Sequence, residues 1–170
     1  MEKELARFVF ATVQVLNEYG VAPRTTTIQK VVYLVLASRG TNGTTYSFVP
    51  FLHGPYSADV AYVLEALVLA GFIREECDEW GYRRFRVSGK KQLPEVEVVR
   101  EVVKRLHELS PSIFDDLPRL ISLAETQWLK SKYPREAPEE LAKRGQELGW
   151  KITTENIRTC LSWLEEVLKT

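Results

Sequence analysis

Two cysteines, two histidines and one methionine are all that this 170-residue chain holds of the side chains most used for metal and redox chemistry. Cys77 and Cys160 stand far apart, and neither belongs to a C-x-x-C or Cys/His pattern. That excludes a zinc framework and a disulfide scaffold, and leaves two free thiols of a reducing, cytoplasmic compartment as the expectation. Cys77 sits among Glu75, Glu76, Asp78 and Glu79. Those charges raise a thiol's pKa, the opposite of what an activated nucleophile requires. His53 and His107 fall on separate elements, and one imidazole without a carboxylate or thiolate cluster makes neither a metal site nor a catalytic dyad. His53 reads as a ring bonded to backbone at a tight junction, with a proton carrier or ligand as the alternative. His107, between Arg105 and Glu108, reads as a solvated surface residue.

A charge excess is missing too. Twenty-three Lys and Arg balance 23 Asp and Glu, which argues against a strong sequence-independent grip on nucleic acid or anionic membrane. Residues 1–92 hold 11 basic and 9 acidic residues, and 93–170 hold the other 12 and 14, so neither half is a charged tail. No apolar run approaches the roughly 20 residues of a membrane span. The opening MEKELARF has no apolar core of a signal peptide. The phosphate-binding loops G-x-G-x-x-G and G-x-x-x-x-G-K-[ST], the zinc motif H-E-x-x-H and the serine elbow G-x-S-x-G are all absent. The expectation is a non-enzymatic protein with no catalytic residue, metal, cofactor or membrane segment.

What the chain does have is organised around Tyr46 to Phe72. Tyr46 to Phe51 reads as a short strand that runs into the breaker Gly54–Pro55. Pro55, with no N–H and a preset φ, is expected to start a helix. Ser57 is placed to cap it. Val60, Val63, Leu64, Leu67 and Val68 recur on one helical face, and Gly71 supplies a left-handed stop. Before this unit, a helix over 3–19 carries the stripe Leu5, Phe8, Val9, Val13 and Leu16. A second helix, to Gly40, opens with the T-x-x-Q pattern of Thr26 and Gln29, which predicts a capping box. Its apolar residues cover most of its circumference, so it is expected to be the most buried helix. Thr41 to Thr45 reads as a turn. After the unit, Ile73–Cys77 and Tyr82–Val87 flank Asp78–Gly81 as a β-hairpin. Helix, helix, strand, helix, hairpin is the order of a winged helix, with 72–88 as the wing.

Leu93–Pro94 marks a boundary between a winged-helix domain over 1–92 and a helical subdomain over 93–170 packed on it. In the second part, helices are expected up to Ser110–Pro111, over a single turn at Ile113–Leu117, from Pro118 to Lys132, from Pro138 to Gly149 with Leu141, Ala142 and Leu148 inward, and after Thr153 or Thr154. The fold class is α+β, mainly helical.

Winged helices commonly bind DNA through the helix before the wing. Here the outward face of that helix carries Asp59, Tyr62, Glu65, Ala66 and Leu69, with no cation to neutralise a phosphate. Candidate nucleic-acid contacts are confined to the wing and the short segment after it: Arg83, Arg84, Arg86, Lys90 and Lys91. Cross-strand ion pairs are the competing use of those arginines. Tyr62 and Leu69, one aromatic and one aliphatic anchor around small Ala66, suit a protein partner better, unless the C-terminal helices cover them.

The runs Ile28-Gln29-Lys30-Val31-Val32-Tyr33-Leu34, His53-Gly54-Pro55-Tyr56-Ser57 and Leu67, Gly71, Phe72 and Ile73 resemble a loose family of small prokaryotic winged-helix proteins. Similar proteins include predicted transcriptional regulators and, more distantly, the Panacea domain of SocA-like antitoxins. The resemblance covers about residues 20–92 and implies a structural junction at His53–Ser57 and no catalytic residue. It points to a regulatory binding module acting through a protein partner, with a homodimer among the arrangements. A DNA-binding regulator that uses its wing is the alternative.

Overall fold

The computed structural model describes residues 2–40 and 45–169, so the turn expected at Thr41–Thr45 falls, but for its last residue, outside the described residues. Among the described residues, seven α-helices and two two-stranded antiparallel sheets make a mainly helical fold. Helix α1 (Glu2–Glu18) and helix α2 (Thr25–Ser38) form its centre. The apolar residues of α2 run round most of its surface, and every residue from Thr27 to Leu36 is buried. A helix so placed must find partners for any polar side chain it carries.

Gln29 shows the consequence. The expected capping box at Thr26 does not form: Arg24 is the N-cap, and its side chain makes no capping bond. Gln29 instead reaches across to Ser57. Its Nε2 donates to the Ser57 carbonyl at 2.9 Å, and its Oε1 accepts from the Ser57 N–H at 3.0 Å. The amide thus satisfies two buried backbone groups as a neighbouring strand would.

The expected strand over 46–51 is shorter, and Pro55 does not start a helix. Tyr46 and Ser47 lie in a 3₁₀ turn with φ of 62° and 55°. Strand β1 (Val49–Phe51) then pairs with strand β2 (Gly54–Tyr56), with Phe51 opposite Gly54 and Val49 opposite Tyr56. Pro55 can occupy β2 because an edge strand needs no N–H on its outer side. Helix α3 (Ala58–Leu69) starts later, where Ser57 Oγ accepts from the Val60 N–H as expected and also donates to the Tyr46 carbonyl at 2.5 Å. Val60, Val63 and Leu64 are buried, Leu67 and Val68 half-buried, and Gly71 takes φ +84° at the stop.

Tyr56 is half-buried and packs against Phe51, ring centroids 5.3 Å apart. Tyr56→Ala should therefore lower stability by about 1–2 kcal/mol, below the roughly 3–5 of a fully buried aromatic. A urea titration reads this, and an unchanged midpoint would make Tyr56 a surface residue that adds nothing to the fold.

The hairpin falls where expected: β3 (Ile73–Cys77) pairs with β4 (Arg83–Val87), Glu75 opposite Phe85. Its β4 edge is covered. Asn17 of α1 accepts from the Val87 N–H and donates to the Phe85 carbonyl. Gln14 bonds both backbone groups of Lys91, and the Phe85 N–H donates to Pro23. Side-chain amides thus close an edge that would otherwise template another strand.

Helices α4 (Pro94–Leu109), α5 (Leu117–Lys132), α6 (Pro138–Glu147) and α7 (Thr154–Val167) complete the fold. Hydrogen-bonded turns link α4 to α5, and Thr153 caps α7. The main core draws on both sides of Leu93–Pro94, from Phe8, Leu34, Val63 and Phe85 to Val99, Leu123 and Leu164. A smaller core of Leu129, Leu141, Ala142, Trp150, Ile152 and Ile157 forms beyond it. Leu148, expected inside, is exposed. His107, expected to be solvated, is half-buried with its ring 5.0 Å from that of Tyr19.

Candidate functional site

The outward face of α3 stays open. Helix α4 packs mainly on α1 and α2, α5 on α2 and β2, and α7 on α5, whereas α3 packs mainly on α1 and β3. Tyr62 is 69% and Leu69 88% exposed. Glu65 and Ala66 are exposed beside them, and Asp59 is half-buried. Phe72, just past the glycine stop, is exposed as well. Two large apolar side chains of one helix are thus left in water.

Three of the four hairpin arginines are occupied, while Arg74 on β3 is exposed. Arg83 joins β4 to α3 through Glu65 at 2.6 Å and meets Glu75 at 2.5 Å. Arg84 pairs with Asp78 at 2.9 Å and donates to the Ala22 carbonyl. Arg86 pairs with Glu76 at 2.9 Å. Glu75, Glu76 and Asp78, three of the carboxylates around Cys77, are thus the partners of hairpin arginines. Lys90 and Lys91 are exposed, and the Lys91 ammonium lies 4.8 Å from the centroid of the Phe72 ring. Cys77 is exposed and Cys160 is buried, where desolvation raises its thiol pKa. Among the described residues no three His, Cys, Asp or Glu side chains are grouped to hold a metal ion. None of the described helices is long and apolar enough to cross a membrane.

The junction His53–Ser57 holds a feature that the sequence pattern did not single out. Lys30 of α2 is 2% exposed, and its Nζ donates to the Pro55 carbonyl at 2.8 Å. Glu125 of α5 is 5% exposed. Burial pulls the Lys30 ammonium down to about 8, and the Glu125 charge resists it. Burial likewise pushes the Glu125 carboxyl up to about 7, against the pull of Lys30. The two attract each other across the junction with no hydrogen bond between them.

Gly54 explains the close approach of α5. Its φ is +89°, and a Cβ there would stand 2.9 Å from Glu125 Cγ. His53 itself is exposed, at the β1–β2 turn. These residues form one clasp: Gln29 holds the backbone of Ser57, Lys30 holds that of Pro55, and Gly54 admits Glu125.

The one signal in the sequence for Lys30 is a lysine inside the helix expected to be the most buried. Glu125, in a helix of mixed character, gave none. No protein-family model matches this chain, and no curated protein is significantly similar to it.

Proposed function

We propose that this chain is a non-enzymatic regulatory binding module of winged-helix type, working through a protein partner seated on the outward face of α3. Residues 1–92 are the winged-helix unit, and 93–170 a helical subdomain packed on it. One observation carries the reading: Tyr62 and Leu69 are open on a helix that offers no cation, in the position where a DNA-binding relative would read bases. Support comes from the order α1, α2, β1–β2, α3, β3–β4, and from the resemblance of residues 20–92 to regulators and SocA-like antitoxins. The wing speaks less for DNA, because Arg83, Arg84 and Arg86 are paired with carboxylates. Any phosphate contact would have to break those pairs or rest on Arg74, Lys90 and Lys91.

The test compares the chain with Tyr62→Ala and Leu69→Ala. Both side chains are exposed, so thermal melts should shift little. A protein partner should stay bound at moderate salt and lose about 2 kcal/mol of affinity with each substitution. DNA binding, titrated at two salt concentrations, should be weak, salt-sensitive and indifferent to sequence. Nanomolar, sequence-selective DNA binding at physiological salt would overturn the proposal in favour of a transcription regulator.

A further inference from the structure

We propose that the outer edge of β3 pairs with the same edge of a second copy of this chain, joining two hairpins into one antiparallel sheet across a two-fold axis. The two edges of the hairpin differ. On β4 the Phe85 N–H and C=O and the Val87 N–H turn to Pro23 and Asn17. Hydrogen-bonded pairs alternate along an antiparallel ladder, so Arg84 and Arg86 bond across to Glu76 and Arg74. Ile73, Glu75 and Cys77 thus aim their backbone groups away from β4. Among the described residues no strand pairs with that side, and residues 74–77 are all exposed.

Charges on an edge strand ordinarily keep a second strand away. Here their order favours one register. Two copies related by a two-fold axis pair antiparallel, and hydrogen bonds form only where outward residues meet outward residues. A pairing centred on Arg74 sets Arg74 against Arg74, and one centred on Glu76 sets Glu76 against Glu76. A pairing centred on Glu75 sets Arg74 against Glu76 of the second copy, twice, with Ile73 opposite Cys77.

Both members of that charge pair are available. Arg74 makes no ion pair among the described residues. Glu76 gives Arg86 only its Oε1. Glu75 meets its own copy on the axis, where Arg83, 2.5 Å from its carboxylate, answers the charge. The same register sets Asp78, at the base of the turn that carries exposed Trp80, opposite exposed Phe72 of the second copy. Two aromatic rings can leave water there together. The pairing does not rest on what occupies the outward face of α3.

The test is sedimentation of the full chain over a concentration series into the high micromolar range, since so narrow an interface is a weak one. A dimer that dissociates on dilution is expected. Arg74→Glu and Glu76→Arg each set like charges opposite one another and should weaken it at least about tenfold. An equimolar mixture of these two variants restores both opposite-charge pairs and should dimerise as the parent chain does. Glu75→Pro removes an outward N–H, leaves the bonds to β4 in place and should give a monomer. Thermal melts establish that each variant is folded. A chain that stays monomeric at every concentration, a dimer indifferent to Glu75→Pro, or no recovery in the mixture of folded variants would overturn the assignment.

Discussion

Replacing Gln29 with leucine should lower the unfolding free energy by about 1–3 kcal/mol, since the change leaves the N–H of buried Ser57 without a partner and takes from its C=O one of two donors, the other being the Ala61 N–H. Leucine fits a helix buried on all sides, so the loss cannot be ascribed to packing volume. The desolvated Ser57 N–H carries it. Glutamate is the sharper control. Its carboxylate can accept from the Ser57 N–H but cannot donate to the Ser57 carbonyl, and it brings a second buried carboxylate near Glu125. It should therefore be at least as harmful as leucine. Urea titrations with an unchanged slope would place the effect in the folded state. A loss below about 1 kcal/mol would mean that water replaces the amide and that the clasp does not order α3.

The fate of Gln29 marks where local reading of this sequence works. Ser57, Gly71 and the alternation of 82–87 are signals whose partners lie within a few residues, and the cap and stop of α3 and both strands of the hairpin appear within a residue or so of where they are expected, although α3 begins three residues after Pro55. Thr26 and Gln29 also match a local pattern, yet the side chain of Gln29 is spent on a residue 28 positions away. A capping box and a long-range clasp look identical in one dimension. The same holds for Pro55, which suits a helix start but is taken by a strand because Phe51 and Gly54 pair first. Tyr62 and Leu69 were legible because they fall off the buried stripe of their own helix. Whether other helices would cover them was a question of tertiary packing that no pattern within α3 could answer. Lys30 and Glu125 lie on helices brought together only by the finished fold, so no spacing rule joins them.

That buried pair gives the last expected result, a shallow minimum in its contribution to stability between about pH 7 and 8. Glu125 binds its proton more tightly when folded, about 7 against an ordinary 4.5. Its contribution is thus fully present below 4.5 and lost as pH rises through 7. Lys30 behaves in the opposite sense, with about 8 against an ordinary 10.5. Its contribution is present above 10.5 and lost as pH falls through 8. Between 7 and 8 both groups are ionised in a dry junction, and each carries its full cost. At about 1.4 kcal/mol per pH unit between ordinary and folded values, the ceiling is about 3 kcal/mol for each group. The surface carboxylates Asp78, Glu136 and Glu166 are held below their ordinary range, so they act on the acid side of 4.5 and leave this window clear. Glu125→Gln should flatten the decline from 4.5 to 7. Its gain at neutral pH should stay well below the ceiling, because Lys30 loses the charge that partly offsets its own burial. Lys30→Met with Glu125→Leu removes both ions and should abolish the minimum; the gain of about 1–4 kcal/mol found when apolar residues replace buried ion pairs is offset near pH 7.5 by about 1–3 kcal/mol, because the buried Pro55 carbonyl loses its donor. Denaturation of the three chains across this range is the measurement. A wild-type curve that rises steadily from 4.5 to 8, parallel to that of Glu125→Gln, would mean that water reaches the junction and that the pair is not buried in solution.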